Sequence, residues 1–337
     1  MKKYIYTIFL FITTTVSFAQ EKREFKEGIF IEIANFYPSD HDLFRPEIVK
    51  QSYKDETSFV YDYSMNNLFS MSISDVNKGL KKEIGGGRGS GPDEFRNPTD
   101  KCVSMVAGKE RIFVADASLA RISVWDGVSG NLISSFKTKR FIPYRITCTD
   151  NEVIAYNKAG NNAGNFLVYN LDGKLINGIH DETLSKDGFF DSGDITADEE
   201  FIYFASEGKT ELRKYNYQKN DIVYAKDTIV KLEGENKLER KSTGSEEVLT
   251  KRSAEFKYQS RGIGIFNDYL LVLYSGRKDA HGKIIDFYNK KDLSYQFSIN
   301  LEHLFSKMSE YNGKILLNAY DFEREERRFY VFKLNMK

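Results

Sequence analysis

The sequence predicts an all-β fold built from six copies of one structural repeat. A phenylalanine followed within a few residues by a short apolar strand recurs six times in the 337 residues. These phenylalanines are Phe44, Phe95, Phe141, Phe190, Phe256 and Phe305. Their separations are 51, 46, 49, 66 and 49 residues, and a period of this length is typical of repeat architectures. The 26 Phe and 21 Tyr residues also favour pleated, half-buried surfaces.

Short apolar segments follow one another in the same order in each repeat, four in a complete repeat. In the second repeat they are 102–105, 111–115, 121–125 and 132–136. The third segment typically ends in an aromatic residue followed by Asp or Asn, as in Trp125-Asp126, Tyr169-Asn170, Tyr215-Asn216 and Tyr288-Asn289. We expect the ring to pack between repeats and the Asp or Asn to organise the next turn. Four antiparallel strands per repeat predict a six-bladed β-propeller.

The last repeat is one strand short, since only segments 314–320 and 328–334 follow its phenylalanine anchor. An unassigned apolar strand, 29–33, precedes the first repeat. We expect this N-terminal strand to become the outer strand of the sixth blade and close the ring.

The separation of 66 residues between Phe190 and Phe256 contains an insertion at about 231–251. The insertion is rich in Lys, Glu, Ser and Gly, and this composition predicts a solvated surface loop or short helix.

The N-terminus has the pattern of a secretory signal peptide. Lys2 and Lys3 precede an uncharged stretch, 4–18, and small residues at Ser17 and Ala19 suit signal peptidase. We therefore expect residues 1–19 to be removed near Ala19 and residues 20–337 to form the propeller. No later run is long and apolar enough to span a membrane. The predicted location is secreted or periplasmic.

Charge and cysteine content constrain the environment further. The 49 basic and 49 acidic residues balance, so no overall electrostatic field attracts nucleic acid or acidic lipid.

Cys102 and Cys148 each lie at the start of a repeat, and in an exported protein they could form a disulfide. Neighbouring inner strands could equally hold their α-carbons too far apart. We predict two buried free thiols, with a disulfide as the alternative.

One stretch carries a family resemblance. The glycine-rich segment 85–91 leads through Phe95 to Pro98, then to 112–116 (IFVAD) and 121–126 (RISVWD). This order resembles one NHL repeat and is similar to exported, TolB-like six-bladed propellers. The resemblance is specific over about one blade, and it implies a fold while leaving function open.

The glycine-rich segment could instead be a phosphate-binding loop. Such a loop needs a helix N-terminus after it, whereas here a predicted β-strand follows. Glycine allows positive φ where one blade's outer strand crosses to the next blade's inner strand. We therefore interpret the segment as a blade connection.

The sequence contains no convincing catalytic constellation. Residues expected at the entrances of the inner strands are Thr99, Arg145, Asp194 and Arg261. Two arginines facing one channel would repel a divalent cation. The histidines are His41, His180, His281 and His303, and their spacing matches no zinc pattern. We predict no metal and no cofactor.

The arginines near the strand entrances support a binding hypothesis. The candidate site residues are Arg45, Arg96, Arg145, Asp194 and Arg261. Projecting into the funnel, the guanidinium groups would form a fork-like site for carboxylate or phosphate. The alternative, which the local charge balance favours, is that each pairs with an acid such as Glu47, Asp93, Glu94 or Asp194.

These observations predict a non-catalytic binding or scaffold module that contacts a protein, peptide or glycan through its central face. The first alternative is a metal-dependent hydrolase or lyase that uses the central channel. A third interpretation is a recognition subunit for polymer uptake at the cell envelope.

Overall fold

The computed structural model describes residues 23–43, 46–51, 57–72, 80–138, 141–161, 164–185, 192–230, 238–243, 246–252, 260–274, 282–311 and 313–336. These residues form six four-stranded antiparallel sheets and one separate two-stranded sheet. The first strand of each blade contacts the first strands of its two neighbours around the ring. The protein is therefore a six-bladed β-propeller, as the repeat predicted, with these first strands lining the axis.

The strands of the blades range from four to ten residues in length. From the axis outwards, blade 1 comprises Pro46–Gln51, Thr57–Asp62, Asn67–Ser72 and Leu80–Ile84; blade 2 Pro98–Val106, Lys109–Asp116, Arg121–Asp126 and Leu132–Lys137; blade 3 Arg145–Cys148, Glu152–Asn161, Gly164–Asn170 and Leu175–Ile179; blade 4 Gly193–Ala197, Phe201–Ser206, Glu211–Asn216 and Asp221–Asp227; blade 5 Ser260–Phe266, Tyr269–Tyr274, Ile284–Asn289 and Tyr295–Asn300; blade 6 Phe305–Tyr311, Lys314–Asp321, Glu326–Leu334 and Phe30–Phe36. A 3₁₀ turn, Pro38–His41, and a short helix, Glu182–Ser185, lie in the connections before blades 1 and 4.

The N-terminal strand closes the ring. Phe30–Phe36 pairs antiparallel with Glu326–Leu334, with Phe30 opposite Leu334 and Phe36 opposite Phe329. This confirms the predicted outer strand of blade 6, which runs slightly further than 29–33. The pairing joins the first and last parts of the chain in one sheet.

The residues before that strand cover a second edge. Phe25 forms a parallel bridge to Ser298 in the outer strand of blade 5. The Lys26 amide donates to the Ser298 carbonyl at 2.9 Å, and the Ser298 amide donates to the Glu24 carbonyl at 2.7 Å. We call residues 23–26 the N-terminal strap. The sequence patterns did not predict it, because four residues are too few to show a strand period.

The hydrophobic core is divided among the blade interfaces. The described residues contain six clusters of buried apolar side chains, and each cluster combines residues from two neighbouring blades. Trp125, for example, lies 5.4 Å from Phe95 between ring centroids, and Tyr215 lies 4.7 Å from Phe166. The aromatic residue that ends the third strand therefore packs between blades, as predicted.

The Asp or Asn that follows this aromatic residue organises the hairpin turn. An Asp126 carboxylate oxygen accepts the amide hydrogens of Val128 at 3.1 Å and Ser129 at 2.7 Å. The Asn216 side chain accepts those of Gln218 at 3.1 Å and Lys219 at 2.9 Å. This confirms the prediction that the Asp or Asn side chain organises the turn by accepting hydrogen bonds from its backbone amides.

Cys102 and Cys148 form a disulfide, so the prediction of two free thiols is wrong. Their α-carbons are 5.6 Å apart, within the range that a disulfide can bridge. Both residues lie on inner strands, Cys102 in blade 2 and Cys148 in blade 3. Inner strands approach one another near the axis more closely than the sequence argument allowed.

The insertion after blade 4 also differs from its prediction. Leu238–Thr243 pairs antiparallel with Glu246–Arg252 in a separate two-stranded sheet, where a loop or short helix was expected. The expectation rested on the absence of alternating apolar and polar residues in this segment. That alternation marks only strands with one buried face. A hairpin can form its backbone hydrogen bonds without that pattern.

No helix in the described part of the chain is long and apolar enough to cross a membrane.

Candidate binding face

One face of the ring collects the residues predicted to bind. Because neighbouring strands are antiparallel, the starts of the inner strands share a face with the turns between second and third strands. We call this side the entrance face. Contacts across it include the Tyr37 hydroxyl donating to Asp321 at 2.6 Å and the Gly87 amide donating to the Asn67 side chain at 2.8 Å. Blade connections and turns are thus tied together there.

Arg145 and Asp194 meet at the mouth of the channel. The Arg145 guanidinium donates to Asp194 at 2.7 Å and to Glu207 at 2.9 Å, joining blade 3 to blade 4. Burial would lower the pKa of Arg145, but the charges of Asp194 and Glu207 outweigh it and raise the pKa above its ordinary value. The alternative of arginines paired with nearby acids is confirmed for Arg145 and Asp194.

The other predicted arginines occupy different positions. Arg96 has an exposed side chain in the connection before blade 2, and its amide donates to Asp116 at 2.7 Å. Arg261 is the second residue of the inner strand of blade 5 and is partly exposed. Arg45 lies outside the described residues. The sequence pattern missed Glu207, which lies just beyond the second strand of blade 4.

A small cavity lies in the channel where the structure describes it. Its volume is about 50 Å³, and it lies between inner strands of blades 2, 4, 5 and 6, lined in part by Asp100, Lys101, Asp194 and Lys307.

Gly262 lies where the inner strands of blades 5 and 6 approach each other closely. A β-carbon at this position would lie 2.7 Å from the β-carbon of Met308 in the inner strand of blade 6. Real β-carbons do not approach that closely, so glycine permits the backbones to come together. The absence of a side chain lets blades 5 and 6 converge at the axis.

The glycine-rich segment is a blade connection, as interpreted from the sequence. An Asp116 oxygen accepts the amide hydrogen of Leu119 at 3.1 Å, and Arg121 donates to the Gly91 carbonyl at 2.7 Å. Gly85 has φ of +110°, and a β-carbon there would lie 2.5 Å from the ring of Phe95. The segment enters the inner strand of blade 2, and no helix follows it. Asp116 and Arg121 therefore stabilise this connection through hydrogen bonds to its backbone, at the Arg96 amide and the Gly91 carbonyl respectively.

Apolar side chains are exposed on the entrance face. Met65 lies in a turn of blade 1, Ile142 and Tyr144 precede blade 3, and Tyr320 and Phe322 lie at a turn of blade 6. Phe322 is 74% exposed, and its ring meets that of Tyr320 at 5.1 Å in an edge-to-face contact. Exposed aromatic residues are typical of interaction sites.

A pocket lies on this face between blades 6 and 1. Its cavity is about 300 Å³ and is lined by Pro38, Ser39, Leu43, Pro46, Tyr320, Glu325, Glu326 and Arg327. The Arg327 guanidinium donates to the Pro46 carbonyl at 2.6 Å, and the Ser39 hydroxyl donates to Glu326. We call it the blade 6–1 pocket. The predicted site did not include it, because its residues come from both ends of the chain.

A broader groove of about 770 Å³ lies on the opposite face, between blades 4 and 5. At its base the Lys214 ammonium donates to the carbonyls of Lys290 at 3.0 Å and Lys291 at 3.1 Å. Its nitrogen lies 3.8 Å from the centre of the Phe201 ring. Burial lowers the pKa of Lys214 from its ordinary value.

The histidines stay apart in the described regions. His180 and His303 are exposed, and His41 is partly exposed. His281 lies outside those regions. No group of three or more His, Cys, Asp or Glu side chains in the described ranges is arranged to hold a metal ion.

The fold is similar to solved propeller structures. The crystal structure of the RRP9 WD40 repeats aligns with a TM-score of 0.54 and 9% sequence identity, over 91% of this chain and 100% of that chain. A putative exported protein from Bacteroides fragilis NCTC 9343 aligns with a TM-score of 0.54 and 10% identity, over 93% of this chain and 98% of that chain. At these identities the likeness shows the fold alone. No protein-family model and no curated protein matches the sequence.

Proposed function

We propose that this protein is an exported, non-catalytic binding module that holds a polypeptide on its entrance face. The observation that carries the proposal is the set of exposed apolar side chains on that face, which also holds a pocket of about 300 Å³. Exposed Tyr144, Tyr320 and Phe322 are residue types that anchor protein interfaces.

The proposed location is the periplasm or the exterior of the cell. The signal-like pattern of the N-terminus supports it, with small residues at Ser17 and Ala19. The Cys102–Cys148 disulfide supports it as well, because such bonds persist in oxidising compartments. Cleavage near Ala19 is part of this proposal. The solved exported protein of similar fold is consistent with this location. Membership of the NHL-like and TolB-like propellers is part of the same proposal and rests on the motif in blade 2.

The arginine site belongs to this proposal as a polar rim. Arg96 and Arg261 would contact carboxylates of the partner, while Arg145 and Asp194 keep the mouth rigid through their ion pair. The test is a double substitution, Arg96→Ala with Arg261→Ala, measured against the identified partner. Unchanged affinity would remove these arginines from the site.

Photo-crosslinking tests the proposed face. A photoreactive phenylalanine analogue is placed at Tyr144, at Phe322 and, as a control on the opposite face, at Val128, which is 77% exposed. The full-length protein is produced with its own signal sequence and irradiated in intact cells. We expect a discrete polypeptide adduct from the first two positions and none from Val128. Adducts from Val128 alone, or carbohydrate adducts from all three positions, would contradict the proposal.

The metal-dependent hydrolase or lyase is the alternative from the sequence. Elemental analysis of the purified protein separates the two functions. A stoichiometric divalent metal that is lost when Asp100 and Asp194 are both changed to Asn would favour the enzyme.

A further inference from the structure

The blade 6–1 pocket has apolar walls and a partly polar rim. Pro38, Leu43, Pro46 and Tyr320 supply the apolar surface. Proline and tyrosine offer rigid faces that lose little side-chain entropy when a ligand packs against them. A volume of about 300 Å³ is at the lower end for ligand pockets. It therefore suits one large side chain of a longer ligand.

Acidic side chains predominate around this pocket. The 3₁₀ turn and the hairpin of blade 6 contribute Asp40, Asp42, Asp321, Glu323, Glu325 and Glu326. The basic side chains on the same hairpin are Arg324, Arg327 and Arg328. The carboxylates therefore exceed the guanidinium groups by three. A ligand with positive charge would be attracted.

The three arginines already have partners within the protein. Arg324 pairs with Glu326 at 2.8 Å and with Asp40 at 3.5 Å. Arg327 donates to the Pro46 carbonyl at 2.6 Å, and Arg328 donates to Asn35 at 2.5 Å. Glu323 and Glu325 are exposed and make no ion pair among the described residues. These two carboxylates are the groups that a cationic ligand would meet first.

An exposed aromatic residue borders the pocket. Phe322 follows the lining residue Tyr320 by two positions, and the two rings touch edge to face. The Arg324 guanidinium lies 3.9 Å from the centre of the Tyr37 ring, which fixes the base of the hairpin. Phe322 is thus presented on an ordered turn, which lowers the entropy lost on binding.

We infer that the blade 6–1 pocket is the anchor of the binding face and takes an apolar side chain flanked by Lys or Arg in a partner polypeptide. This inference rests on the proposed function and names the partner's chemistry. The apolar side chain enters between Pro38, Pro46 and Tyr320. The flanking cations meet Glu323 and Glu325, and Phe322 packs over the bound segment.

The test uses three fluorescent pentapeptides and the full mature chain. The probe is Gly-Lys-Phe-Lys-Gly-amide with an uncharged fluorescent dye on its N-terminus; the comparisons carry the same dye and replace both Lys by Glu or replace Phe by Gly. Affinity is measured by fluorescence anisotropy at 20 mM and 300 mM salt. We expect only the first probe to bind, and to weaken at the higher salt because exposed charges are screened (the screening length is about 10 Å at 0.1 M).

Protein variants then locate the site. We expect Glu323→Gln with Glu325→Gln to weaken the Lys-Phe-Lys probe by about fivefold or more and to abolish most of its salt dependence. Phe322→Ser should weaken it by a similar factor. Ile176→Ser, at an exposed apolar position on the outer strand of blade 3, is the matched control and should leave affinity unchanged. Circular dichroism checks that each variant is folded.

The inference and the proposed function fail in different ways. Equal affinity of the three peptides, no binding at millimolar concentration, or equal loss in the Ile176 variant would overturn the inference. Crosslinks from Tyr144 would persist in that case. Loss of all entrance-face crosslinks would instead overturn the proposed function.

Discussion

The guanidinium of Arg23 donates to both carboxylate oxygens of Asp286, at 2.8 and 2.9 Å. The Arg23 and Asp286 side chains are only 8% and 2% exposed. The Ser298 hydroxyl also donates to Asp286 at 2.7 Å, and the ring of Tyr274 lies 4.1 Å from the guanidinium carbon. The N-terminal strap is therefore held by a buried ion pair as well as by backbone hydrogen bonds.

Arg23→Ala should strongly destabilise the protein. It leaves the Asp286 carboxylate buried without its cation, and breaking a buried pair in this way costs about 3–5 kcal/mol. Urea unfolding followed by tryptophan fluorescence measures the loss. Glu24→Ala, an exposed change in the same strap, should cost under about 0.5 kcal/mol. Equal stability of the Arg23 and Glu24 variants would show that the pair contributes nothing.

Removing the disulfide should cost about 2–4 kcal/mol, because the bond closes a long loop in the unfolded chain. Cys102 and Cys148 are 46 residues apart in sequence. The measurement compares the unfolding midpoint of the wild type with that of the double Cys→Ser variant, with and without reductant. Reductant should lower the midpoint of the wild type only. A midpoint that reductant leaves unchanged in both proteins would argue against the bond.

Asp181 should contribute stability that is lost in acid. Burial would raise the pKa of Asp181, but hydrogen bonding from Thr183 and the charge of Arg213, 2.6 Å away, outweigh it and lower the pKa. Its stabilisation is thus present above the unfolded value, about 3.9, and disappears as the pH falls through the lower folded value. Asp181→Asn should reduce the unfolding free energy near pH 7 and flatten its decline below pH 4. A variant as acid-sensitive as the wild type would contradict this.

Gly262→Ala should destabilise the ring by about 1–3 kcal/mol, the usual cost of overpacking. The added β-carbon would meet the β-carbon of Met308 at 2.7 Å and its amide nitrogen at 2.9 Å. Shortening the side chain with Met308→Ala leaves both atoms in place. The double variant should therefore be no more stable than Gly262→Ala in thermal unfolding. Rescue by the second change would mean that the contact is made by the flexible end of Met308.

The sequence predicted the features that repeat. An aromatic residue followed by Asp or Asn recurs at the end of the third strand in blades 2 to 5. Trp125, Tyr215, Asp126 and Asn216 do in the structure what their chemistry implied. The closing strand was predictable because one blade lacked a strand. Features that occur once were not visible as patterns.

The candidate site was harder to predict for the same reason. Arg145 and Asp194 were expected on one face, but Glu207, the second acid that Arg145 binds, follows a different strand. The blade 6–1 pocket joins Pro38 to Glu326, which are far apart in sequence. The Cys102–Cys148 bond depended on a distance between strands that spacing along the chain does not give.

The strap also sets an order of events for the growing chain. Residues 23–36 are made early, whereas their partners, Asp286, Ser298 and the strand 326–334, are made much later. A contact spanning 263 residues forms late, because a large loop entropy must be overcome first. Until the strand 326–334 has been made, the strand 30–36 has no sheet to join. The ring can therefore close only after that late strand is available.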